Sequence, residues 1–474
     1  MPKLFPYEKI DSGKKQDLSI MYKEKTSVQW KDLDASYHLH PFTDFHEYET
    51  SRGRIIEKSE HIYIYDTDGR KYLDAMSGLW CCSLGYSQPE IGKAVINQFK
   101  QLPYYNNFFQ CSNAPAVELA ERLVNIAPKQ FQRVFFTNSG SEANDTNIRL
   151  IRRYWDLKKQ PKKRFIIARK NAYHGSTIAA ASLGGFNAVH KQFETLPYIS
   201  HIIEPNWYTE GGDDTAEDFG LKAARELEKQ IDELGEENVA AFIAEPIQGA
   251  GGVIVPPNTY WPEVQRILKE RNILFVSDEV ICGFGRTGSL FGCQTYETEP
   301  DLITFAKAVT NGFQPLGGVL VNDKVSDVIT KDGGEFGHGF TYSGHPIACA
   351  AAIATLEIIE HGNFIDKVAN DIGPYLQSKW KELADHPIVG HVRGIGMLGS
   401  IELVRNKNTK ERLEPDQKSG GICREFCIEN NLIMRAVGDS MIISPPFVCS
   451  YKDIDSLIEK ARKSLDQTAS YYSV

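Results

Sequence analysis

Ile273-Leu-Phe-Val-Ser-Asp278-Glu-Val280, followed by Asp301-Leu-Ile-Thr-Phe-Ala-Lys307, is the stretch on which the reading of the fold turns. Each half is a short apolar run that stops at an ionisable residue, as when a buried parallel strand carries a side chain out of its carboxyl end. In open α/β sheets that end is where ligands bind. An aspartate and a lysine on neighbouring strand ends suit the two ends of a pyridine aldehyde, the lysine as Schiff base and the aspartate against the ring nitrogen. A buried ion pair is the plainer account of the same two residues. The rest of the chain decides between them.

Outward from this stretch, short apolar runs alternate with amphipathic ones between Asn107 and Asp323. The pattern predicts strands at 133–137, 164–168, 239–244, 273–277, 302–306 and 316–321, and helices at 116–126, 142–157, 216–234 and 260–271. Such alternation makes an α/β domain, a mostly parallel sheet flanked by helices. An alanine-rich helix from about His345 to Glu360 leads out of it. Beyond lie strand-like stretches at 389–403 and 432–446 and helices at 418–429 and 452–466, which make a smaller α+β domain. Residues 1 to about 50 are polar, then helix-like with scattered Tyr22, Trp30 and Tyr37, and read as an arm. Gly53 to Asp74 reads as a hairpin or meander turning at Asp68-Gly69. The expected division is therefore 1–75 for the arm and a small-domain segment, 76–345 for the large domain and 346–474 for the small domain. A chain of 474 residues exceeds what one growing core accommodates, so more than one domain is the natural prior.

Composition removes several function classes. Lys and Arg number 53 against 62 Asp and Glu, a net charge of −9, with no long basic run to offset it. Nucleic acid and anionic membranes are disfavoured as partners. The nine cysteines are scattered and odd in number, so they make no disulfide framework. Cys423 and Cys427 are one helical turn apart, but no second thiol or histidine pair stands at zinc-finger spacing, and buried free thiols with no metal are expected. The start, Met1-Pro-Lys-Leu-Phe-Pro-Tyr7, lacks a signal-peptide core, and no window holds about 18 uninterrupted apolar residues. A cytoplasmic enzyme is the expectation.

Further motifs stand at strand ends. Asn138-Ser-Gly-Ser-Glu-Ala-Asn144 joins a strand to a helix, where backbone N–H groups and the Ser141 hydroxyl suit a phosphate, although an ordinary serine cap explains the residues nearly as well. Tyr173-His-Gly175 offers a ring to stack on an aromatic cofactor or merely on its neighbours. Glu245-Pro-Ile-Gln-Gly249 ends another strand, with Gly251 and Gly252 beyond Ala250. Gly283-Phe-Gly-Arg-Thr-Gly288 has the dinucleotide spacing, but no helix period follows it, so it reads as a decoy. Glu210 to Asp218 reads as a solvated acidic loop closed by a capping box of Asp214 and Glu217.

Together these residues resemble the class III pyridoxal-phosphate-dependent aminotransferases of fold type I over nearly the whole chain. Asn138-Ser-Gly-Ser-Glu-Ala143, Tyr173-His-Gly175, Glu245-Pro246, Asp278-Glu-Val280, Lys307 and Phe340-Thr-Tyr-Ser-Gly-His-Pro346 stand in the family's order. The resemblance implies a seven-stranded sheet, pyridoxal 5′-phosphate as cofactor, and a homodimer with shared active sites, with a tetramer left open. It implies Lys307 as the Schiff-base lysine, Asp278 on the pyridine nitrogen, Val280 and Tyr173 on the two ring faces, and Gly140 with Ser141 on the phosphate. Thr341 would reach that phosphate from the neighbouring subunit. Trp80 and Arg435 would line the substrate pocket, with Ala250, Phe108 and Phe109 as neighbours. Leu79-Trp-Cys81, Glu245 to Gly252 and Met434-Arg-Ala-Val-Gly-Asp439 are most similar to amine:pyruvate transaminases, particularly those for putrescine or polyamines. The implied reaction moves the amino group of a primary amine to pyruvate, giving an aldehyde or ketone and alanine. An ω-amino acid donor such as β-alanine or taurine is the alternative. A non-catalytic binding protein is a further reading, against which the intact Lys307 and Asp278 speak. Relatives that handle ornithine or 4-aminobutyrate carry glutamate at the position of Ala250, so here any switching of Arg435 would rely on its own mobility.

Overall fold

The structure, a computed structural model, describes residues 25–474. They fall into two compact units, one containing the chain up to Lys58 with Tyr65–Arg70, the other Ser59–Ile64 with Lys71–Val474. In the first, the helix Ser27–Tyr37 starts at a capping box in which Thr26 and Gln29 exchange hydrogen bonds of 3.3 and 3.0 Å. A second helix, Phe45–Ser51, is capped by Asp44. Neither helix buries a residue. Trp30 and Tyr37 lie on the first, and Tyr22 lies outside the described residues.

The second unit is built on a seven-stranded sheet. From one edge its strands are Phe131–Thr137, Gly317–Asn322, Leu302–Phe305, Leu274–Asp278, Val239–Ala244, Phe165–Arg169 and Ile199–Ile202. All pairings are parallel except those of Gly317–Asn322, which runs antiparallel to both neighbours. Val239–Ala244 and Leu274–Asp278 are buried throughout, because helices cover both faces. Alternation then assigns the faces: Ala241, Ile243, Leu274 and Val276 pack with Ile151, Tyr154 and Trp155 on one side. Phe242, Ala244, Ile273 and Phe275 pack with Leu227, Trp261 and Val264 on the other. Gly318 is where the antiparallel strand squeezes between its neighbours, since a Cβ there would lie 2.5 Å from the Phe305 ring and 2.7 Å from the Phe135 carbonyl oxygen.

The six expected strands are present within two residues at each end, and the helices Ala216–Leu234 and Tyr260–Glu270 also match. The strand Ile199–Ile202 was not legible, because an edge strand of four residues containing Ser200 and His201 shows no apolar run. The helices Pro89–Gln101, Asp323–Asp332 and Ile372–Lys381 are likewise additions. The Ala216–Leu234 helix begins differently from the expected box: Thr215, not Asp214, is the cap, accepting from the Asp218 N–H at 3.1 Å.

The expected strand at 389–403 is a hairpin of Val389–Ile395 and Leu398–Leu403, turning at Gly396 with φ +54°. With Ser440–Ile443 and Arg435–Val437 it forms a four-stranded antiparallel sheet. Leu432–Ile433 instead pairs in parallel with Lys71–Asp74. That pairing brings the chain before Trp80 beside the chain before Arg435.

Candidate active site

Five strands of the large sheet release their chains into one cavity of about 410 Å³ at their carboxyl ends. Leu274–Asp278 delivers Asp278, and Leu302–Phe305 delivers Lys307 two residues past its end. The two residues are not an ion pair: Lys307 has no salt-bridge partner among the described residues, and Asp278 is held by other groups. Oδ2 of Asp278 accepts from Asn144 Nδ2 at 2.9 Å and from His174 Nδ1 at 2.7 Å. Oδ1 accepts the Val280 N–H at 3.2 Å, and Asp278 lines the cavity. Asn144 is itself fixed, donating to the His174 carbonyl at 2.7 Å and accepting from Thr304 and Asn147 at 2.8 and 3.0 Å. A buried network of this kind holds one carboxylate orientation, because any rotation would leave buried donors without partners.

Lys307 opens a short 3₁₀ turn with φ +50°. Burial lowers its pKa, the nearby Cys81, Asp278 and Glu245 oppose that, and Arg435 adds to it. The strand end beyond Ala244 places Glu245, which is buried and accepts the N–H groups of Tyr173 at 3.1 Å and Gly249 at 2.9 Å. Burial pushes its carboxyl pKa up. Glu279, although adjacent to Asp278, faces the opposite way. It accepts from Ser277 Oγ at 3.0 Å and from the N–H groups of Gly292 and Cys293 at 2.7 and 2.6 Å, and burial moves its pKa up to about 7.

At the other end of the cavity the helix Gly140–Leu157 begins, with Ser139 as its cap on the Glu142 N–H. Gly140 is in contact with Val280, where an added Cβ would come within 2.9 Å of Cγ2. Ser141 Oγ accepts the Ser176 N–H at 3.0 Å, and Gly175 at φ +139° leaves room for it, since a Cβ there would sit 2.5 Å from that oxygen. The helix start, its free N–H groups and the Ser141 hydroxyl form a cradle for a phosphate. Tyr173 and Val280 line the walls between cradle and Asp278. The donor set fits pyridoxal phosphate: an anion cradle, an aromatic and an aliphatic side chain for a flat ring, a fixed carboxylate suited to a ring nitrogen, and an amine with no ion partner among the described residues.

Trp80 is buried behind the cavity, with Lys307 Nζ 5.5 Å and the Arg435 guanidinium carbon 5.1 Å from its ring. Its indole N–H has no partner. Arg435 opens the strand Arg435–Val437, is free of salt bridges among the described residues, and has its pKa lowered by burial. Ala250 is buried, in the turn whose Gly252 and Val253 carbonyls accept from Arg393 at 2.6 and 2.8 Å. The structure thus brings Lys307, Asp278, Gly140, Ser141, Tyr173 and Val280 around one cavity, with Trp80 and Arg435 stacked beside Lys307. It does not bring Thr341, Phe108 or Phe109 to the cavity of their own chain. Thr341 is exposed, its carbonyl accepting the Tyr104 hydroxyl at 2.8 Å. Phe109 is 91% exposed, and Phe108 packs against Gly339. His174, Asn144 and Cys81 also line or support the cavity, each inside one of the sequence motifs but with no signal of its own. The decoy Gly283–Gly288 is followed by turns, and its Arg286 is buried, donating to Pro445 O at 2.6 Å and Ser83 Oγ at 2.7 Å.

A lysine and an aspartate at adjacent strand ends, facing an anion cradle across a slot, define a pyridoxal-phosphate enzyme of the α/β type. The family model for class III aminotransferases matches residues 46–465, and the chain belongs to that family, whose members depend on pyridoxal phosphate. Among its relatives, the putrescine–pyruvate aminotransferase of Pseudomonas aeruginosa is 54% identical over 442 residues, covering 93% of this chain and 96% of that protein. The chloroplastic gamma aminobutyrate transaminase 3 of Solanum lycopersicum is 44% identical, covering 91% of this chain and 84% of that protein. The omega transaminase of Pseudomonas jessenii, solved in complex with PMP, superposes with a TM-score of 0.91 at 39% identity, over 94% of this chain and 99% of that one. No helix among the described residues is long and apolar enough to cross a membrane.

Proposed function

We propose that this aminotransferase moves the amino group of a primary amine, a diamine or polyamine such as putrescine, to pyruvate, releasing an aldehyde and alanine in a ping-pong cycle. The observation that carries this reading is Arg435, a half-buried guanidinium without an acidic partner among the described residues, lying on the Trp80 ring beside Lys307. Such a group pairs with the carboxylate of pyruvate through two parallel hydrogen bonds and must move aside for a donor that has none. The 54% identity to the putrescine–pyruvate enzyme supports the same choice. The transaminases for gamma aminobutyrate favour a second reading, an ω-amino acid donor whose carboxylate would meet the same arginine.

When bound, pyridoxal phosphate supplies the electron sink that accepts the pair left as the substrate carbon loses its proton. Lys307 is the residue that holds the cofactor and, once displaced, moves that proton; burial favours its neutral, proton-accepting form. Asp278, locked by His174 and Asn144, presents Oδ1 to keep a proton on the ring nitrogen. Tyr173 and Val280 hold the ring faces, and Gly140 and Ser141 the phosphate. Trp80 and Ala250 shape the donor side. Thr341, exposed in its own chain, serves the phosphate of a partner's site in a homodimer, where Phe108 and Phe109 also belong. The domain divisions fall at 75 and 345, a reading supported by the large sheet lying within 131–322 and the smaller antiparallel sheet within 389–443. Nine free cysteines support a reducing, cytoplasmic setting.

The test is a donor panel of putrescine, cadaverine, spermidine, β-alanine, taurine and 1-phenylethylamine with pyruvate as acceptor. Alanine formation fastest with the diamines is expected. Faster turnover of β-alanine or taurine than of every amine lacking a carboxylate would replace this reading with the second.

A further inference from the structure

Far along the sequence from the catalytic strands, Asp34-Ala-Ser-Tyr-His38-Leu-His40 gathers three metal-type donors at the end of the helix Ser27–Tyr37. Asp34 and His38 are one helical turn apart, the spacing that puts two ligands on one face. His40 folds back from the following turn. His38 Nδ1 lies 3.3 Å from Asp34 Oδ1 and His40 Nε2 lies 2.9 Å from Asp34 Oδ2. The two imidazole rings are 4.1 Å apart, and the three ligand atoms all lie within 4.8 Å of one another. The hydroxyl of Tyr48, on the helix Phe45–Ser51, donates to Asp34 Oδ2 from behind. Among the described residues, the two histidines are the sole ion partners of this carboxylate; no lysine or arginine pairs with it.

Hydrogen bonds alone account for a carboxylate and one imidazole. They hold a second imidazole as a further neutral N–H donor, whereas two protonated rings would repel across 4.1 Å. A single divalent cation replaces both protons and satisfies all three groups. We propose that Asp34, His38 and His40 form a binding site for a divalent ion of the zinc class, with water in the remaining position. Two imidazoles and a carboxylate are the donor set zinc accepts, and ligands each about 2.0–2.2 Å from a tetrahedral ion stand roughly 3.3–3.6 Å apart, near the 3.3 and 2.9 Å of the two histidine–Asp34 pairs and inside the 4.8 Å that spans all three atoms. Tyr48 is the outer donor that fixes the carboxylate, the part such hydrogen bonds take around a metal. Asp34 and His40 are half-buried while the His38 side chain is 61% exposed, so the ion has an open path in. Its role is a clamp: Asp34 on one helix, His38 and His40 just past that helix's end, and a hydroxyl from the next helix tie the two otherwise unburied helices of this unit together.

The experiment uses the full-length holoenzyme, stripped with chelator, dialysed, and titrated with Zn²⁺ while bound metal is measured by atomic emission. Wild type is expected to retain one Zn²⁺ per chain more than the His38→Ala/His40→Ala double variant. Asp34→Asn, which preserves side-chain shape, is expected to weaken that uptake at least tenfold, and Tyr48→Phe to weaken it without abolishing it. Zinc is also expected to slow proteolytic cleavage within residues 27–51 of wild type and not of the double variant. Equal zinc uptake by wild type and the double variant overturns the site and leaves a hydrogen-bonded staple.

Discussion

Asp278 and Glu279 are adjacent carboxylates with different hydrogen-bond partners, and their chemistry diverges accordingly. Asp278 lines the cavity and is held by His174 and Asn144, whereas Glu279 closes a loop through two backbone N–H groups. Replacing Lys307 by Ala is expected to abolish amine-dependent alanine formation, and the protein should lose the absorption change that follows amine addition. His174→Ala removes a hydrogen bond to a buried charge, worth about 1.5–3 kcal/mol. The expected result is a cofactor dissociation constant raised roughly 10–100-fold, read from absorbance titration of the apoprotein. Glu279→Gln is expected to lower stability by about 1–3 kcal/mol in denaturant unfolding, because an amide N–H₂ would face a backbone donor. The pH dependence has a definite sign. The Glu279 pKa rises on folding to about 7 from an ordinary 4.5, so its contribution is fully present below 4.5 and is lost as pH climbs toward 7. The stability difference between wild type and Glu279→Gln should therefore shrink across that window.

At the scale of elements, the long buried strands were readable because helices on both faces demand continuous apolar runs, and Val239–Ala244 is the plain case. Ile199–Ile202 was not, since an edge strand packs on fewer neighbours and tolerates Ser200 and His201. The hairpin at Gly396 was likewise hidden, because two antiparallel strands joined by a tight turn read as one apolar stretch. Gly318 marks the most constrained point of the sheet. Gly318→Ala would place a methyl group 2.5 Å from the Phe305 ring, and the strain should cost about 1–3 kcal/mol, measured as a lowered denaturation midpoint.

For the whole molecule, the position of Thr341 is the informative one: a residue of the family motif, exposed in its own chain and away from its own cavity. If the site is completed by a partner subunit, defects in different chains complement each other. Thr341→Asp and Lys307→Ala proteins should each be inactive alone, while co-expressed mixed dimers should recover activity at one of their two sites. No recovery in purified mixed dimers would place Thr341 outside a shared site.

The sequence by itself determined the family, because Asp278, Lys307 and the Asn138–Asn144 helix start are particular residue types standing at the ends of apolar strands in the order of a class III aminotransferase. Local periodicity and motif order carry that information without any long-range contact. Only the tertiary structure decided which way each carboxylate of Asp278-Glu279 points, that His174 and Asn144 lock the first of them, and that Lys307 and Arg435 both stand against the Trp80 ring. These depend on residues hundreds of positions apart meeting across the sheet, and the parallel pairing of Lys71–Asp74 with Leu432–Ile433 that draws Trp80 toward Arg435 has no signature in either segment alone.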